Sequence, residues 1–153
     1  METYFAYGSN LLKKQMEARC PSVRFIGTGE VPGYELCFPR ASDRWNGGVA
    51  GLRRDPGGKV EGALYELTES DLARLDHVEG VAEGEYRRER AKVILKDKSE
   101  VEAWIYFANV QGEGSFKPSE EYINVMIRGA QDCGLSPEVV AGLQKIKDSL
   151  ATR

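Results

Sequence analysis

Turn signals cut the chain between residues 23 and 108 into short strand-like runs, and this pattern limits the fold more than any other feature of the sequence. Pro32-Gly33 separates two such runs, and Asp55-Pro56-Gly57-Gly58 predicts a hairpin between two others. With the opening run, the sequence predicts six or seven strands, at residues 4–7, 23–29, 34–40, 49–53, 60–67, 86–95 and 101–108. Hairpin-length links favour antiparallel pairing, and this many strands in a short chain favours a barrel.

Helical patterns accompany the strands, at residues 11–19, 69–77, 119–133 and 137–150. Thr68 is a candidate N-cap with Asp71 in the third helical position, Gly134 can end a helix, and Pro137 suits a first helical position. The sequence therefore predicts an α+β fold, a small mixed, largely antiparallel β-barrel with flanking α-helices. A length of 153 residues suits a single domain over residues 1–153.

The opening stretch, Tyr-Phe-Ala-Tyr-Gly-Ser-Asn at residues 4–10, predicts a strand that turns at Gly8 and enters a helix. Ser9 or Asn10 is the expected N-cap of that helix. Such a junction leaves unpaired backbone N–H groups at the helix start, where they form a site for an anion or an oxyanion. On local physics alone, an ordinary strand–turn–helix corner is the simpler interpretation.

Composition excludes several classes of function. A net charge of −3 gives no electrostatic reason to expect a nucleic-acid partner. No apolar run is long enough to cross a bilayer, and the N-terminus has no signal-peptide pattern, so no membrane partner is expected. The three cysteines, Cys20, Cys37 and Cys133, are widely spaced and predict neither a disulfide framework nor a zinc site. Buried thiols in a reducing, cytoplasmic compartment are the favoured interpretation.

Few residues remain that could carry chemistry. His77 is the single histidine, which argues against a Ser–His or Cys–His enzyme and against a metal site. No glycine-rich phosphate-binding motif occurs. Glu79 differs from the other carboxylates because it lies between Val78 and Gly80, just past a predicted helix. If this side chain is buried, its pKa is raised into the range that acid–base catalysis requires, whereas a solvated loop glutamate is the plainer alternative. Asp76, in the last helical turn, is the second candidate.

Four motifs in this order resemble the gamma-glutamylcyclotransferase family. They are Tyr-Gly-Ser-Asn after the first strand, Trp-x-Gly-Gly-x-Ala from Trp45, Leu-Asp-x-x-Glu-Gly-Val from Leu75, and Tyr122 followed by Gly129-Ala130. The resemblance runs from Tyr4 to about Leu143. It implies a small β-barrel with flanking helices, in agreement with the pattern of strands and helices.

The resemblance also implies roles for particular residues. Glu79 becomes the general acid and base, and the backbone of Tyr7, Gly8, Ser9 and Asn10 grips the glutamyl group. Tyr106 and Tyr122 match two tyrosines of the family's pocket, although each also suits a core aromatic. Trp45 matches a wall or lid of the pocket. Asn46 departs from the pattern, since relatives carry histidine there, and a contact between this position and the leaving group would change substrate preference.

The implied reaction is a cyclisation that needs neither cofactor nor metal. The amine of a small gamma-glutamyl substrate attacks the side-chain amide, forms 5-oxoproline and releases an amino acid or an amine. Two alternatives stay open. The chain could act on gamma-glutamylamines of a biosynthetic pathway, or it could be a non-catalytic module that binds a small molecule on the same fold.

Overall fold

A computed structural model describes residues 1–151 of the chain. Its strands are β1 (Glu2–Ala6), β2 (Arg24–Ser42), β3 (Gly47–Leu67), β4 (Tyr86–Leu95) and β5 (Glu100–Ala108). Its helices are α1 (Lys13–Arg19), α2 (Glu69–Val78), α3 (Glu120–Cys133) and α4 (Pro137–Leu150). None of these helices is long and apolar enough to span a bilayer.

The strands form a closed barrel in the order β1–β3–β2–β4–β5. All neighbours are antiparallel except β1 and β5, which close the barrel through a parallel contact at Tyr4 and Trp104. The predicted fold class, a mixed and largely antiparallel barrel with flanking helices, is therefore confirmed.

The predicted number of strands is wrong, because residues 1–151 contain five long or medium strands. Pro32-Gly33 and Asp55–Gly58 do not reverse the chain. They face each other across the β2–β3 pair, where the register shifts from Pro32 opposite Lys59 to Tyr34 opposite Arg54. A proline lacks the N–H that a strand ladder needs, and a bulge accommodates that loss without ending the strand.

Caps that depend only on neighbouring residues are confirmed. The Asp71 N–H donates to Thr68 Oγ1 at 3.0 Å, and the Thr68 N–H donates to Asp71 Oδ2 at 3.4 Å. Gly134 ends α3 in the left-handed conformation, with φ of 76°. Pro137 is the first residue of α4. These contacts fix where α2, α3 and α4 begin or end.

The predicted cap of the first helix is wrong. Ser9–Leu11 forms a 3-10 turn, and α1 starts only at Lys13, with Leu12 as an N-cap that makes no side-chain hydrogen bond. Asn10 is unavailable for capping because its side chain binds Tyr4 and Arg19. The polar side-chain atoms that were predicted to cap the first helix are thus hydrogen-bonded to other side chains.

Two apolar clusters organise the core. The first contains residues of all five strands, including Phe5, Val31, Leu64, Val93 and Ile105, and it fills the barrel. The second joins the other side of the strands to the helices, with Tyr4 and Ala6 on one side and Ile123 and Met126 on the other. Because side chains alternate along a strand, β1 supplies both clusters and leads directly to the turn at Gly8.

Candidate active site

A cavity of about 550 Å³ opens at the end of β1, between the β2–β3 connection and the end of α2. The opening turn contributes Tyr7, Gly8, Ser9 and Asn10 to its lining. Three residues from distant parts of the chain line the same space, namely Glu79, Tyr106 and Tyr122. The structure thus brings the opening turn, Glu79 and the two tyrosines of the resemblance to one cavity, whereas Asp76 and Asn46 do not line it.

Glu79 enters the cavity from the end of α2. Its N–H donates to the Leu75 carbonyl at 2.8 Å, which completes the helix, and Gly80 then turns the chain with φ of 67°. The side chain is half-buried, and within residues 1–151 its carboxylate has neither a hydrogen-bond donor nor an ion-pair partner from the protein. Glu79 therefore offers a carboxylate that the fold leaves free for a ligand.

Burial raises the pKa of Glu79 from 4.5 to about 7, and the positive charges of Arg19 and Arg44 oppose this rise only in part. Glu85 adds a negative charge that raises the pKa further. A carboxyl group with this pKa is divided between its acid and base forms near neutral pH. Glu79 can therefore both accept and return a proton during one turnover.

Five tyrosine side chains surround this carboxylate. Burial is the main reason why the pKa of each is raised, and the charge of Glu79 contributes to every one of these shifts. All five side chains line the same cavity as Glu79. They come from the opening strand and turn (Tyr4, Tyr7), from β4 and β5 (Tyr86, Tyr106) and from α3 (Tyr122).

The turn after β1 presents its backbone to the same cavity. Its carbonyl groups are used, since Gly8 accepts from the Leu11 N–H at 3.1 Å and Ser9 accepts from the Leu12 N–H at 3.2 Å. Among the described residues, the N–H groups of Gly8, Ser9 and Asn10 donate to no backbone carbonyl. The Ser9 N–H faces the Tyr122 hydroxyl, so the N–H groups of Gly8 and Asn10 are the donors available to an anion in the cavity.

Close packing around residue 8 explains why it is a glycine. A Cβ at this position would lie 3.1 Å from the Tyr122 hydroxyl and 3.2 Å from the Ala50 Cβ. The Tyr122 hydroxyl also accepts a hydrogen bond from the Ala50 N–H at 2.9 Å. A side chain at residue 8 would therefore push Tyr122 away from the turn.

Asn10 holds the turn in position. Its Nδ2 donates to the Tyr4 hydroxyl at 2.9 Å, and its Oδ1 accepts from Arg19 Nη1 at 2.6 Å. Its carbonyl accepts from the Tyr65 hydroxyl at 2.9 Å. With these partners, the side chain of Asn10 is committed to the protein, and the atom that it leaves for a ligand is its backbone N–H.

Asp76, the second carboxylate considered from the sequence, is fully engaged. Arg88 donates to it twice, from Nε to Oδ1 at 2.7 Å and from Nη2 to Oδ2 at 3.1 Å. The Tyr106 hydroxyl also donates to Oδ1, at 2.7 Å. Asp76 is thus part of the wall behind Tyr106, whereas Glu79 is the free carboxylate.

The β2–β3 connection forms the rim of the cavity. Trp45 lines it and packs edge-on against Tyr122, with 5.0 Å between the ring centroids. Asn46 is exposed, has φ of 58° and is not among the lining residues, so this position makes no contact with the cavity. Asparagine tolerates this left-handed conformation better than most residues, which accounts for its place in the turn.

Apart from Glu79, the sequence did not single out the charged groups of the cavity. Arg40, Asp43, Arg44 and Glu85 are among the residues that line it. Isolated charged residues in loops carry no pattern that separates a cavity wall from a solvated surface. Among residues 1–151, no cluster of histidine, cysteine and carboxylate groups could hold a metal ion.

Comparisons with known proteins give a consistent result. The model of the AIG2-like family matches residues 59–143. Gamma-glutamylcyclotransferase of Mus musculus is 33% identical over 148 residues, which cover 94% of this chain and 78% of that protein. A solved gamma-glutamyl cyclotransferase superposes with a TM-score of 0.89 at 31% identity, covering 94% of this chain and 86% of the other. YkqA from Bacillus subtilis superposes with a TM-score of 0.81 at 27% identity, covering 97% and 54%.

Proposed function

The chain belongs to the gamma-glutamylcyclotransferase family and is a cyclotransferase, and we propose that it converts a gamma-glutamyl amino acid or amine into 5-oxoproline with Glu79 as general acid and base. The observation that carries this proposal is the free carboxylate of Glu79, which has a pKa of about 7 inside a cavity bounded by the turn at Gly8. A module that only binds ligands has no need of such a group.

The reaction begins with a proton transfer. The α-ammonium of the glutamyl group passes a proton to the Glu79 carboxylate, and the resulting amine attacks the γ-carbonyl carbon of the same molecule. A carbon–nitrogen bond forms and closes a five-membered lactam. Glu79 then returns the proton to the leaving nitrogen as the original amide bond breaks. The second proton of the attacking nitrogen passes through the same carboxylate to the released amine, which leaves a neutral lactam and returns the enzyme to its starting state.

Backbone N–H groups of the opening turn bind an anionic group of the substrate. The N–H groups of Gly8 and Asn10 can bind either the α-carboxylate or the oxyanion that develops on the γ-carbonyl oxygen. Trp45 and Tyr122 limit the space and favour a curled glutamyl chain, whose amine lies near its own γ-carbonyl carbon. Holding the two reacting atoms together supplies the proximity that an intramolecular attack requires.

The test is incubation with a panel of gamma-glutamyl amino acids and gamma-glutamylamines, with 5-oxoproline as the measured product. An amino acid leaving group brings a carboxylate that can pair with Arg40 or Arg44, whereas a diamine leaving group brings a cation for Asp43 or Glu85. The compounds that release 5-oxoproline fastest therefore identify the class of leaving group. Absence of 5-oxoproline from every compound would refute the proposal.

The pH dependence of kcat/KM should reflect Glu79. Because the base form takes the ammonium proton, we expect kcat/KM to fall as the pH drops below about 7, approaching tenfold per pH unit. The measurement is a series of initial rates from about pH 4 to pH 8, with the folded fraction followed by circular dichroism. A profile whose acidic limb is centred near the ordinary glutamate value of 4.5 would contradict the raised pKa.

A further inference from the structure

The hydroxyl groups of the cavity tyrosines differ in hydrogen-bond polarity. A hydroxyl group has one proton, and a tyrosine that gives this proton to a protein carbonyl or carboxylate has only lone pairs left for a ligand. Tyr7 donates to the carbonyl of Tyr106, and Tyr86 donates to the carbonyl of Ala50 at 2.6 Å. Tyr106 donates to Asp76 Oδ1 at 2.7 Å. These three hydroxyl groups can therefore only accept from a ligand.

Tyr122 and Tyr4 have the opposite polarity. Tyr122 accepts from the Ala50 N–H at 2.9 Å and keeps its proton. Tyr4 accepts from the side-chain amide of Asn10, whose orientation is fixed because Arg19 can only donate and binds the amide oxygen at 2.6 Å. Tyr4 therefore keeps its proton too, and both hydroxyl groups can donate into the cavity.

Asp76 determines the polarity of Tyr106. Arg88 holds both carboxylate oxygens from behind, at 2.7 and 3.1 Å, and its guanidinium stacks on Trp104 at 4.2 Å from the ring centroid. The carboxylate is thus immobilised with one oxygen at the Tyr106 hydroxyl. An ionised carboxylate can only accept, so the proton of Tyr106 must point away from the cavity.

We propose that Asp76 is a positioning residue which, by accepting the Tyr106 proton, makes the Tyr106 oxygen an acceptor for the α-ammonium of the glutamyl group. The inference rests on the proposed function, because it assigns the half of the substrate that carries the nucleophile. It places the ammonium between the Glu79 carboxylate and the Tyr106 oxygen, and it leaves the backbone donors of Gly8 and Asn10 for the anionic groups. The nitrogen is then oriented before Glu79 removes a proton from it.

The experiment compares two ligands that cannot cyclise and release an amine, L-glutamate and glutarate, which lacks the ammonium group. Direct titration calorimetry measures both dissociation constants without turnover, so that a failure of the proposed function is distinguishable from a failure of this inference. The wild-type protein should bind L-glutamate about tenfold more tightly than glutarate. Tyr106→Phe and Asp76→Ala should each reduce this preference about fivefold, because each removes an oriented acceptor.

A matched control uses the tyrosine of opposite polarity. Tyr122→Phe removes the same atom from the same cavity, but that hydroxyl can donate, so both ligands should weaken alike and the preference for L-glutamate should stay unchanged. A double-mutant cycle separates positioning from general damage to the structure. In the Tyr106→Phe background, Asp76→Ala should cause no further loss of preference, since the hydroxyl that Asp76 orients is absent.

Three results would overturn the inference. They are equal binding of the two ligands by the wild-type protein, an unchanged preference in Tyr106→Phe, and an effect of Asp76→Ala that persists in the Tyr106→Phe background. Tyr106→Phe keeps the aromatic ring in the core and tests the acceptor directly. Where Asp76→Ala does not fold, Asp76→Asn, which keeps the shape of the side chain and removes its charge, tests the positioning role by the same loss of preference.

Discussion

Replacing Glu79 with glutamine should lower kcat by about 10³-fold or more while the protein stays folded, because the amide can neither take the ammonium proton nor return it. Glutamine has the shape of glutamate, and the carboxylate makes no hydrogen bond or ion pair within residues 1–151 that the substitution would break. Release of 5-oxoproline by Glu79→Gln at the wild-type rate would remove this residue from the mechanism. Glu83→Gln, an exposed change four residues later and outside the cavity, is the matched control.

The same substitution should stabilise the fold above neutral pH. The pKa of Glu79 is raised from 4.5 in the unfolded chain to about 7 in the folded protein, so the folded state binds more protons between these values and loses stability as the pH rises. The loss at pH 8 is at most about 3 kcal/mol, since the cavity admits water. Urea unfolding should therefore show Glu79→Gln to be more stable than the wild-type protein at pH 8 and equally stable near pH 4.

Replacing Gly129 with alanine should destabilise the protein by about 2 kcal/mol. A Cβ at this position in α3 would lie 2.5 Å from the Leu11 carbonyl carbon and 2.5 Å from the Leu12 nitrogen. Backbone atoms cannot move aside as the end of a side chain can, so α3 and the segment after the turn must separate. Activity should fall as well, because Tyr122 lies on α3 and Gly8 precedes the displaced segment.

Gly142 provides the control for this second substitution. It lies inside α4, and a Cβ there would meet no heavy atom within 4 Å. Gly142→Ala should therefore stabilise the protein by about 0.5–1 kcal/mol through helix propensity alone. The measurement is urea unfolding of both variants at one pH. Equal stability of Gly129→Ala and Gly142→Ala would show that α3 does not require the close approach at Gly129.

The sequence predicted those features that depend on a few neighbouring residues. Thr68 and Asp71 cap each other within one helical turn, and the φ of Gly134 needs no distant partner, so both could be predicted from local chemistry. Pro32-Gly33 was wrongly interpreted as a hairpin turn. Such a pair shows that the backbone departs from regular strand geometry, whereas strand pairing decides whether the chain reverses its direction. The local pattern also gives no sign of tertiary partners. The Asn10 side chain binds Tyr4, and for this reason it does not cap the first helix as predicted.

The site itself could be predicted only in outline. The position of Glu79 between an apolar residue and a glycine left both a buried side chain and a solvated loop open, and the raised pKa agrees with burial. The polarity of the tyrosine hydroxyl groups could not be predicted, because it depends on which distant carbonyl or carboxylate receives each proton. Asp76 was the second candidate because of its place in the last turn of α2, and its hydrogen bond with Tyr106 joins residues 30 positions apart.

The parallel contact between β1 and β5 sets the order in which the protein can become active. Tyr7 and Tyr106 are 99 positions apart and meet only when this contact closes the barrel. Bringing such distant segments together is slow compared with forming hairpins such as β4–β5. A ribosome-bound chain that ends before β5 lacks both Tyr106 and Tyr122, so its cavity is incomplete, and catalytic activity should emerge only after the sheet has closed and α3 has docked.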